Sequence, residues 1–137
     1  MARLTLETFG AWLLKCNPRV TDLSSLAEHG VATWCVQKNY RTALCDAGQP
    51  ALLWVSGSTG ATPTPGIWAS GRLTGPADWH GAKYVVPLQL TFLEAPLPRT
   101  DLAAHPALGS LEVLNQPQMS NPSYLTTAEY AHLRELL

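Results

Sequence analysis

The stretch VATWCVQKNYRTAL, residues 31–44, holds residues whose types could do chemistry together. Trp34 offers a flat aromatic face for stacking, and Gln37, Lys38 and Asn39 follow it with two amides and a cation. Packing in a hydrophobic core would also explain any single tryptophan. The presence of four further tryptophans elsewhere in the chain favours an aromatic binding surface. They are Trp12, Trp54, Trp68 and Trp79.

Other chemistries find no support in the residue pattern. Three cysteines without CxxC spacing indicate neither a disulfide framework nor a zinc ribbon. Four scattered histidines, none in an HExxH pair, do not suggest metal catalysis. P-loop and GxGxxG motifs are absent from the sequence, and Ser56-Gly57-Ser58 is not a GxSxG elbow. We therefore expect no metal and no cofactor.

The distribution of charge is more informative than the net charge of −1, which by itself argues against a nucleic-acid partner. Most lysines and arginines precede residue 100, whereas Glu112, Glu129 and Glu135 follow it. One basic face is possible, and a solvated surface of mixed charge is the alternative. No apolar run approaches the roughly 18–20 residues that span a bilayer. Because residues 1–10 also lack a signal peptide's apolar stretch, we expect a cytoplasmic protein without a membrane partner.

Short apolar runs between turn residues predict the strands that must position these side chains. The predicted strands are 11–16, 51–57, 66–73 and 82–94, with the second and third forming a long hairpin. Pro87 requires an edge position or a bulge in the last of them.

Capping residues predict the helices. One helix begins after Thr21 or Asp22 and ends at Gly30, and another covers NYRTALCDAG, residues 39–48. A third closes the chain after a cap at Thr126 or Thr127. Short strands, long loops and small helices together indicate a mixed domain built on a small open barrel.

The order of these motifs resembles the EVE domain family, which belongs to the PUA-like superfamily together with the YTH domains. The similar segments are AWLLKCNP, VTDLSSLAEHG, TWCVQKNYRTAL, PALLWVSGS, PGIWASGRL, DWHGAKYVVPLQLTFLEAPLPRTDLAAHPAL and MSNPSYLTTAEYAHL. The resemblance implies an EVE-like domain over residues 11–137, preceded by an N-terminal extension over residues 1–10. It also implies an α+β fold, with a PUA-like small β-barrel or curved sheet surrounded by helices.

The family's known or proposed role is to recognise modified bases in DNA or RNA. The resemblance therefore implies a non-enzymatic reader that binds a modified base, such as a methylated one, flipped into an aromatic pocket. Its partner would be nucleic acid carrying that base.

Such a pocket needs aromatic walls, polar groups for the base edge and cations for phosphates. We predict Trp34 and Trp79 as walls, partly accessible in one cleft, with Trp54 and Trp68 as further stacking candidates for which core packing is the alternative. Trp12 is expected in the core. Trp68 stands where the family usually has a small or aliphatic residue.

Amide side chains suit a base edge because each offers a donor and an acceptor. The predicted edge residues are Asn17, Cys35, Val36, Asn39 and Asn121, those at 35 and 36 acting through backbone groups. Turn formation before proline is the alternative for Asn17 and Asn121. The predicted phosphate contacts are Lys38, Arg41 and Lys83.

Two other classes of function stay open. ASCH-type PUA-like relatives include amidohydrolases of modified nucleosides, but their Gly-x-Lys-x-x-x-x-Arg signature is not reproduced here, although Lys15 and Glu94 could meet. A protein-interaction domain would also suit proline-rich loops and a near-neutral charge.

Overall fold

Seven strands form one mixed sheet in the computed structural model, which describes residues 4–137. The strands are β1 (Phe9–Cys16), β2 (Thr33–Cys35), β3 (Pro50–Val55), β4 (Gly66–Leu73), β5 (Asp78–His80), β6 (Lys83–Pro98) and β7 (Ser123–Thr126). Their order is β2-β6-β4-β3-β1-β7, and β5 pairs with β6. All neighbours run antiparallel except β1 and β3, which are parallel.

The sheet curves so that its two ends approach each other. Gln37, just beyond β2, donates its backbone N–H to the carbonyl oxygen of Asn121, just before β7, at 2.9 Å. The terminal strands of the sheet order are therefore joined at one point, as in a partly closed barrel.

Four helices and one 3₁₀ turn surround the sheet in the described residues. The helices are α1 (Leu23–His29), α2 (Arg99–Ala104), α3 (Glu112–Asn115) and α4 (Thr127–Arg134), and the 3₁₀ turn is Thr42–Leu44. Asp22 caps α1 through Ser24 N–H, and Gly30 ends it with φ 81°. Thr126 and Glu129 form a capping box on α4. The α+β class and curved sheet predicted from the sequence are confirmed.

Both faces of the sheet are buried. One face carries Leu13, Leu52 and Ile67 against residues of the helical layer such as Leu102 and Leu133. The opposite, inner face carries two clusters. Trp12, Leu14, Leu73, Val86 and Leu88 belong to the first, and Cys16, Leu53 and Ala69 to the second. This double burial explains why β1 and β3 have continuous rather than alternating apolar sequences.

The predicted strands are found with small changes in their bounds, and 66–73 matches β4. The helix predicted over residues 39–48 is wrong, since only the 3₁₀ turn forms there. Trp34 is the middle residue of β2, a strand that was not predicted.

Pro87 lies inside β6, where one edge of the strand changes partner. On that edge β5 pairs with residues 83–85, and β4 pairs from Leu88 onward. Pro87 falls in the gap between these two ladders, where no strand requires the N–H that proline lacks.

Part of the predicted N-terminal extension packs on the domain. Leu4 is buried in the cluster that contains Trp12, and Thr8 accepts the backbone N–H of Thr127. Residues 1–3 of that extension lie outside the described residues. Within residues 4–137, no helix combines the length and apolar character needed to cross a bilayer.

Candidate nucleic-acid interface

The two predicted aromatic walls lie on the same face of the sheet. Trp34 of β2 pairs with Val86, and Trp79 of β5 pairs with Tyr84. Paired residues of antiparallel strands point to the same side, and Tyr84 and Val86 are two residues apart on β6. All four side chains therefore project from one face, with β2 and β5 on opposite edges of β6.

The two walls differ in accessibility. The Trp79 side chain is 56% exposed, and its ring meets Tyr84 edge-on, with centroids 5.2 Å apart and planes at 70°. Trp34 is partly buried, packs against both inner clusters and donates its indole N–H to the Lys15 carbonyl oxygen at 3.3 Å. Trp79 therefore supplies the open stacking surface, while Trp34 joins that surface to the core.

Lys38 is the cation that lies nearest to this surface. Its Nζ lies 6.0 Å from the ring centroid of Trp79 and 6.0 Å from that of Tyr84. Lys83, predicted as a phosphate contact, is also exposed, but it directly precedes Tyr84 on β6 and therefore projects from the opposite face. We call Trp34, Trp79, Tyr84 and Lys38 the aromatic–cationic surface.

Tyr84 was not among the residues predicted from the sequence. Its position was foreseeable in principle, because Trp79 and Tyr84 flank Gly81, which has the positive φ of 64° typical of a tight turn. A hairpin around residues 81 and 82 places residues 79 and 84 opposite each other.

Arg41, predicted as a phosphate contact, is instead paired within the fold. Its guanidinium forms a bidentate pair with Glu112, Nη1 to Oε1 at 2.7 Å and Nη2 to Oε2 at 2.8 Å, and Nη1 also donates to the Pro122 carbonyl. The residue is 8% exposed and lies 5.0 Å from the centroid of the Tyr124 ring. Its charge is therefore neutralised within the fold.

Glu112 is held ionised by these contacts. Burial by itself would raise the pKa of its carboxyl, but hydrogen bonds from Arg41 and Ser123 and the positive charges of Arg41 and Lys15 lower the pKa below its usual value. Ser123 donates its hydroxyl to Oε1 at 2.8 Å. No local sequence signal joins residues so distant in the chain, which is why this network was missed.

The three predicted asparagines are engaged by backbone groups through their side-chain oxygens. Asn17 accepts from Arg19 N–H at 3.0 Å, and Asn39 accepts from the N–H groups of Arg41 and Thr42. Asn121 is bonded at both ends of its amide, since Oδ1 accepts Lys15 N–H at 2.7 Å and Nδ2 donates to Lys15 O at 3.0 Å. The side-chain oxygens of all three asparagines therefore already accept hydrogen bonds within the fold, in turns for Asn17 and Asn39 and from the backbone of β1 for Asn121.

Cys35 and Val36, the two residues predicted to act through backbone groups, differ in their surroundings. Val36 donates its N–H to the Tyr84 carbonyl at 3.0 Å, so this donor is already used. Cys35 is exposed and neighbours both Trp34 and the pairing partner Val85.

The remaining three tryptophans differ in burial and location. Trp12 is buried at 1% exposure, as expected, and donates its indole N–H to Gln49. Trp54 is 3% exposed within the core facing the helices, so core packing, the alternative stated for it, is what the structure shows. Trp68 is partly exposed and lines a different cavity, together with Pro18, Asp22 and Pro63.

Metal-binding chemistry has no candidate cluster among residues 4–137, where no three His, Cys, Asp or Glu side chains are grouped to hold an ion. Cys16 and Cys45 are buried thiols. Burial raises the pKa of both, that of Cys45 to about 12.

Comparisons of sequence find no matching family model and no matching curated protein. Comparison of structure gives matches that span the chain. A hypothetical protein from Leishmania major has a TM-score of 0.72 at 17% identity, with 96% of each chain covered. A protein from Pseudomonas putida has a TM-score of 0.69 at 20% identity, with 92% of this chain and 98% of that chain covered.

A third similar structure is human THYN1 in complex with 5-methylcytosine-containing DNA. Its TM-score is 0.65 at 18% identity, with 92% of this chain and 96% of that chain covered. The DUF55 domain of human thymocyte nuclear protein 1 matches with a TM-score of 0.66. At these identities the likeness shows a shared fold, and the chain has the architecture of this class of domain.

Proposed function

We propose that this chain is an EVE-type, non-enzymatic reader that binds a modified base of DNA or RNA, flipped out of its strand and stacked on the aromatic–cationic surface. Two independent lines support the proposal. The sequence motifs resemble the EVE family, and the fold is shared with a human domain whose structure contains 5-methylcytosine DNA.

The observation that carries the proposal is the exposed Trp79 ring beside Tyr84 and Lys38. Because Trp79 is 56% exposed, its ring offers open apolar surface, and covering that surface with a ligand is favourable. Stacking one base on an aromatic ring contributes about 1–3 kcal/mol. A nearby ammonium group suits the phosphate that accompanies such a base.

Selectivity for the modification requires more than hydrophobic contact. Burying one additional methyl group contributes roughly 0.8 kcal/mol, or about a fourfold preference. A stronger preference needs a polar group that is satisfied by one base edge and not by another. Asn39 retains its Nδ2 donors, which bond to no group in residues 4–137, and this amide is our candidate for reading the edge.

The absence of catalysis is part of the proposal. Lys15 and Glu94, the pair considered for an amidohydrolase, form no ion pair within the described chain. Lys15 instead donates its ammonium group to the Pro117 carbonyl at 3.1 Å. Burial lowers the pKa of Lys15, while the charge of Glu112 raises it by a smaller amount.

The test is a binding panel with mass analysis of the ligand. Fluorescence anisotropy would compare single-stranded and duplex oligonucleotides that differ at one base, either cytosine, 5-methylcytosine, 5-hydroxymethylcytosine, adenine or N6-methyladenine. We expect one modified base to bind more than fourfold tighter than its unmodified parent, with the ligand mass unchanged after incubation. Equal affinities throughout would overturn the reader proposal, and release of a carboxylate from an N4-acylated cytidine incubated in parallel would favour the amidohydrolase.

A further inference from the structure

Trp68 occupies an unusual place in the sheet. On one side of β4, Ile67 and Ala69 pair with Leu97 and Phe92, and the register shifts between these two pairs. The ladder to β3 also shifts at this point. In the β3 ladder Trp68 is the extra, bulged residue, whereas in the β6 ladder the extra residues, 93–96, lie on β6. Bulges commonly redirect a side chain next to a binding site.

The bulge turns Trp68 out of the core. Its neighbours Ile67 and Ala69 are both 0% exposed, whereas Trp68 is partly exposed and its indole N–H donates to the Thr64 carbonyl at 2.7 Å. This bond fixes the ring on the loop that joins β3 to β4. A tryptophan fixed in this way loses little side-chain entropy on binding a ligand.

Trp68 lines one of two adjoining cavities that differ in chemistry. The first, of about 430 Å³, places its ring with Pro18, Pro63 and Leu23, and with the carboxylate of Asp22. The second, of about 420 Å³, shares Pro18 and Pro63 with the first. Its other lining residues include Asn17, Arg19, Ser56, Ser58 and Thr62.

The pair of cavities matches the two parts of a nucleotide. A ring system fits the apolar cavity by stacking on Trp68 between prolines. The guanidinium of Arg19 and the hydroxyls of Ser56 and Ser58 suit a phosphate. Asp22 uses Oδ1 for the α1 cap, while its second oxygen bonds to no group in residues 4–137 and can accept from the exocyclic amino group of cytosine, adenine or guanine.

The Trp68 cavity is linked to Trp34 through the protein interior. Leu23 lines this cavity and also packs in the inner cluster against which Trp34 lies. Lys15, whose carbonyl accepts the Trp34 indole N–H, precedes Asn17 and Pro18 by two and three residues. The end of β1 and the start of α1 therefore connect Trp34 to both cavities.

We propose that the Trp68 cavity and the Arg19 cavity form a second nucleotide subsite, which holds a nucleotide flanking the modified one on the same strand. This inference rests on the proposed function for one point, that the bound nucleotide belongs to a nucleic-acid strand. The site itself is defined independently, because its walls come from α1, β4 and the loop between β3 and β4. An amino-bearing base is preferred there over uracil or thymine.

The first experiment uses free mononucleotides, so it does not depend on the proposed function. Cytidine 5′-monophosphate, cytidine and uridine 5′-monophosphate would be titrated into ¹⁵N-labelled protein, with the five indole signals assigned by single Trp→Phe variants. We expect the cytidine nucleotide to shift the Trp68 signal and to bind more tightly than either comparator. In Arg19→Gln, cytidine 5′-monophosphate should bind no more tightly than cytidine. In Asp22→Asn, it should bind no more tightly than uridine 5′-monophosphate. No shift of Trp68 at millimolar ligand would overturn the subsite.

The second experiment identifies the source of the base. A single-stranded oligonucleotide with the preferred modification would be compared with the same oligonucleotide carrying abasic flanks. The abasic flanks should weaken binding about 5- to 150-fold in the unsubstituted protein, the equivalent of one lost stack. In Trp68→Leu the two oligonucleotides should bind alike.

Trp79→Ala is the control that separates the two proposals. It removes the ring proposed to stack on the modified base and leaves the Trp68 cavity unchanged. A mononucleotide shift at Trp68 without an effect of the flanks would overturn the assignment to a strand and identify a site for free nucleotides. An affinity for the oligonucleotide that is unchanged by Trp79→Ala would instead contradict the proposed function.

Discussion

Arg41 and Glu112 are 71 residues apart in sequence and form a two-point ion pair, with both contacts shorter than 3 Å. The pair connects the 3₁₀ turn after β2 with α3, and Ser123 attaches it to β7. Because β2 carries Trp34 and Lys38 follows it, this network fixes the segment that presents the aromatic–cationic surface. The charge that the sequence suggested for phosphate binding thus serves to position that segment.

Glu112→Gln should lower the free energy of unfolding by about 3 kcal/mol, because it leaves the Arg41 cation without its partner in a poorly solvated place. Urea denaturation followed by circular dichroism measures this loss. Glu94→Gln, at an exposed position of β6, is the matched control and should change stability by less than about 0.5 kcal/mol. Equal effects of the two substitutions would show that the ion pair contributes nothing.

The stabilisation from Glu112 should depend on pH in one direction. Since the pKa of its carboxyl is lowered in the folded protein, the stabilisation is complete above the unfolded pKa of about 4.3. It is lost as the pH falls through the folded pKa. The stability difference between the unsubstituted protein and Glu112→Gln should therefore be constant from pH 6 to 7 and shrink below pH 4. A difference that persists unchanged to pH 3 would contradict a depressed pKa.

The three cysteines should react at very different rates in the native protein. Cys35 is exposed, whereas Cys16 and Cys45 are buried and burial raises the pKa of both thiols. Because the thiolate is the reactive form, iodoacetamide at pH 8 should label Cys35 first and the other two only after unfolding. Peptide mass mapping reads out the order, and labelling of Cys45 at the rate of Cys35 would show that the inner cluster is open.

Salt dependence should report how few cations contact the nucleic acid. With Arg41 paired internally and Lys83 on the opposite face of β6, Lys38 remains on the aromatic–cationic surface. One phosphate contact gives a slope of log affinity against log salt of about −0.7 to −0.9, and Arg19 at the proposed second subsite would add one more contact. Lys38→Gln should make the slope shallower by about 0.7 to 0.9 and weaken modified and unmodified oligonucleotides alike. A selective loss for the modified base would mean that Lys38 reads the base.

Elements with strong local patterns were predictable from the sequence, and elements defined by their partners were not. β4 was predictable as a short apolar run that begins after Pro65-Gly66, and the Asp22 and Thr126 caps follow from local hydrogen bonding. β2 and β5 have three residues each, and only pairing with β6 makes them strands. Three-residue segments carry too little periodicity to be recognised alone.

The candidate site was predictable to the extent that it depends on residue type. Trp34, Trp79 and Lys38 were named from motif positions, and the structure brings them to one side of β6. Core packing, the alternative stated for Trp54, is what the structure shows, and its packing partners come from α2, α3 and α4. The internal pairing of Arg41 had no local signal either, since its partner lies in a helix of four residues.

The central claim is that the exposed Trp79 ring stacks on a modified base, and one comparison of affinities tests it most directly. Anisotropy titrations would measure the modified oligonucleotide preferred in the binding panel against the unsubstituted protein, Trp79→Ala and Leu136→Ala. Leu136 is the matched control, a large apolar residue that is 43% exposed and follows α4, which packs on β1 and β7. Trp79→Ala should weaken binding about 5- to 150-fold with its circular dichroism spectrum unchanged, and Leu136→Ala should have no effect. Equal affinities for the unsubstituted protein and a folded Trp79→Ala variant would contradict the claim.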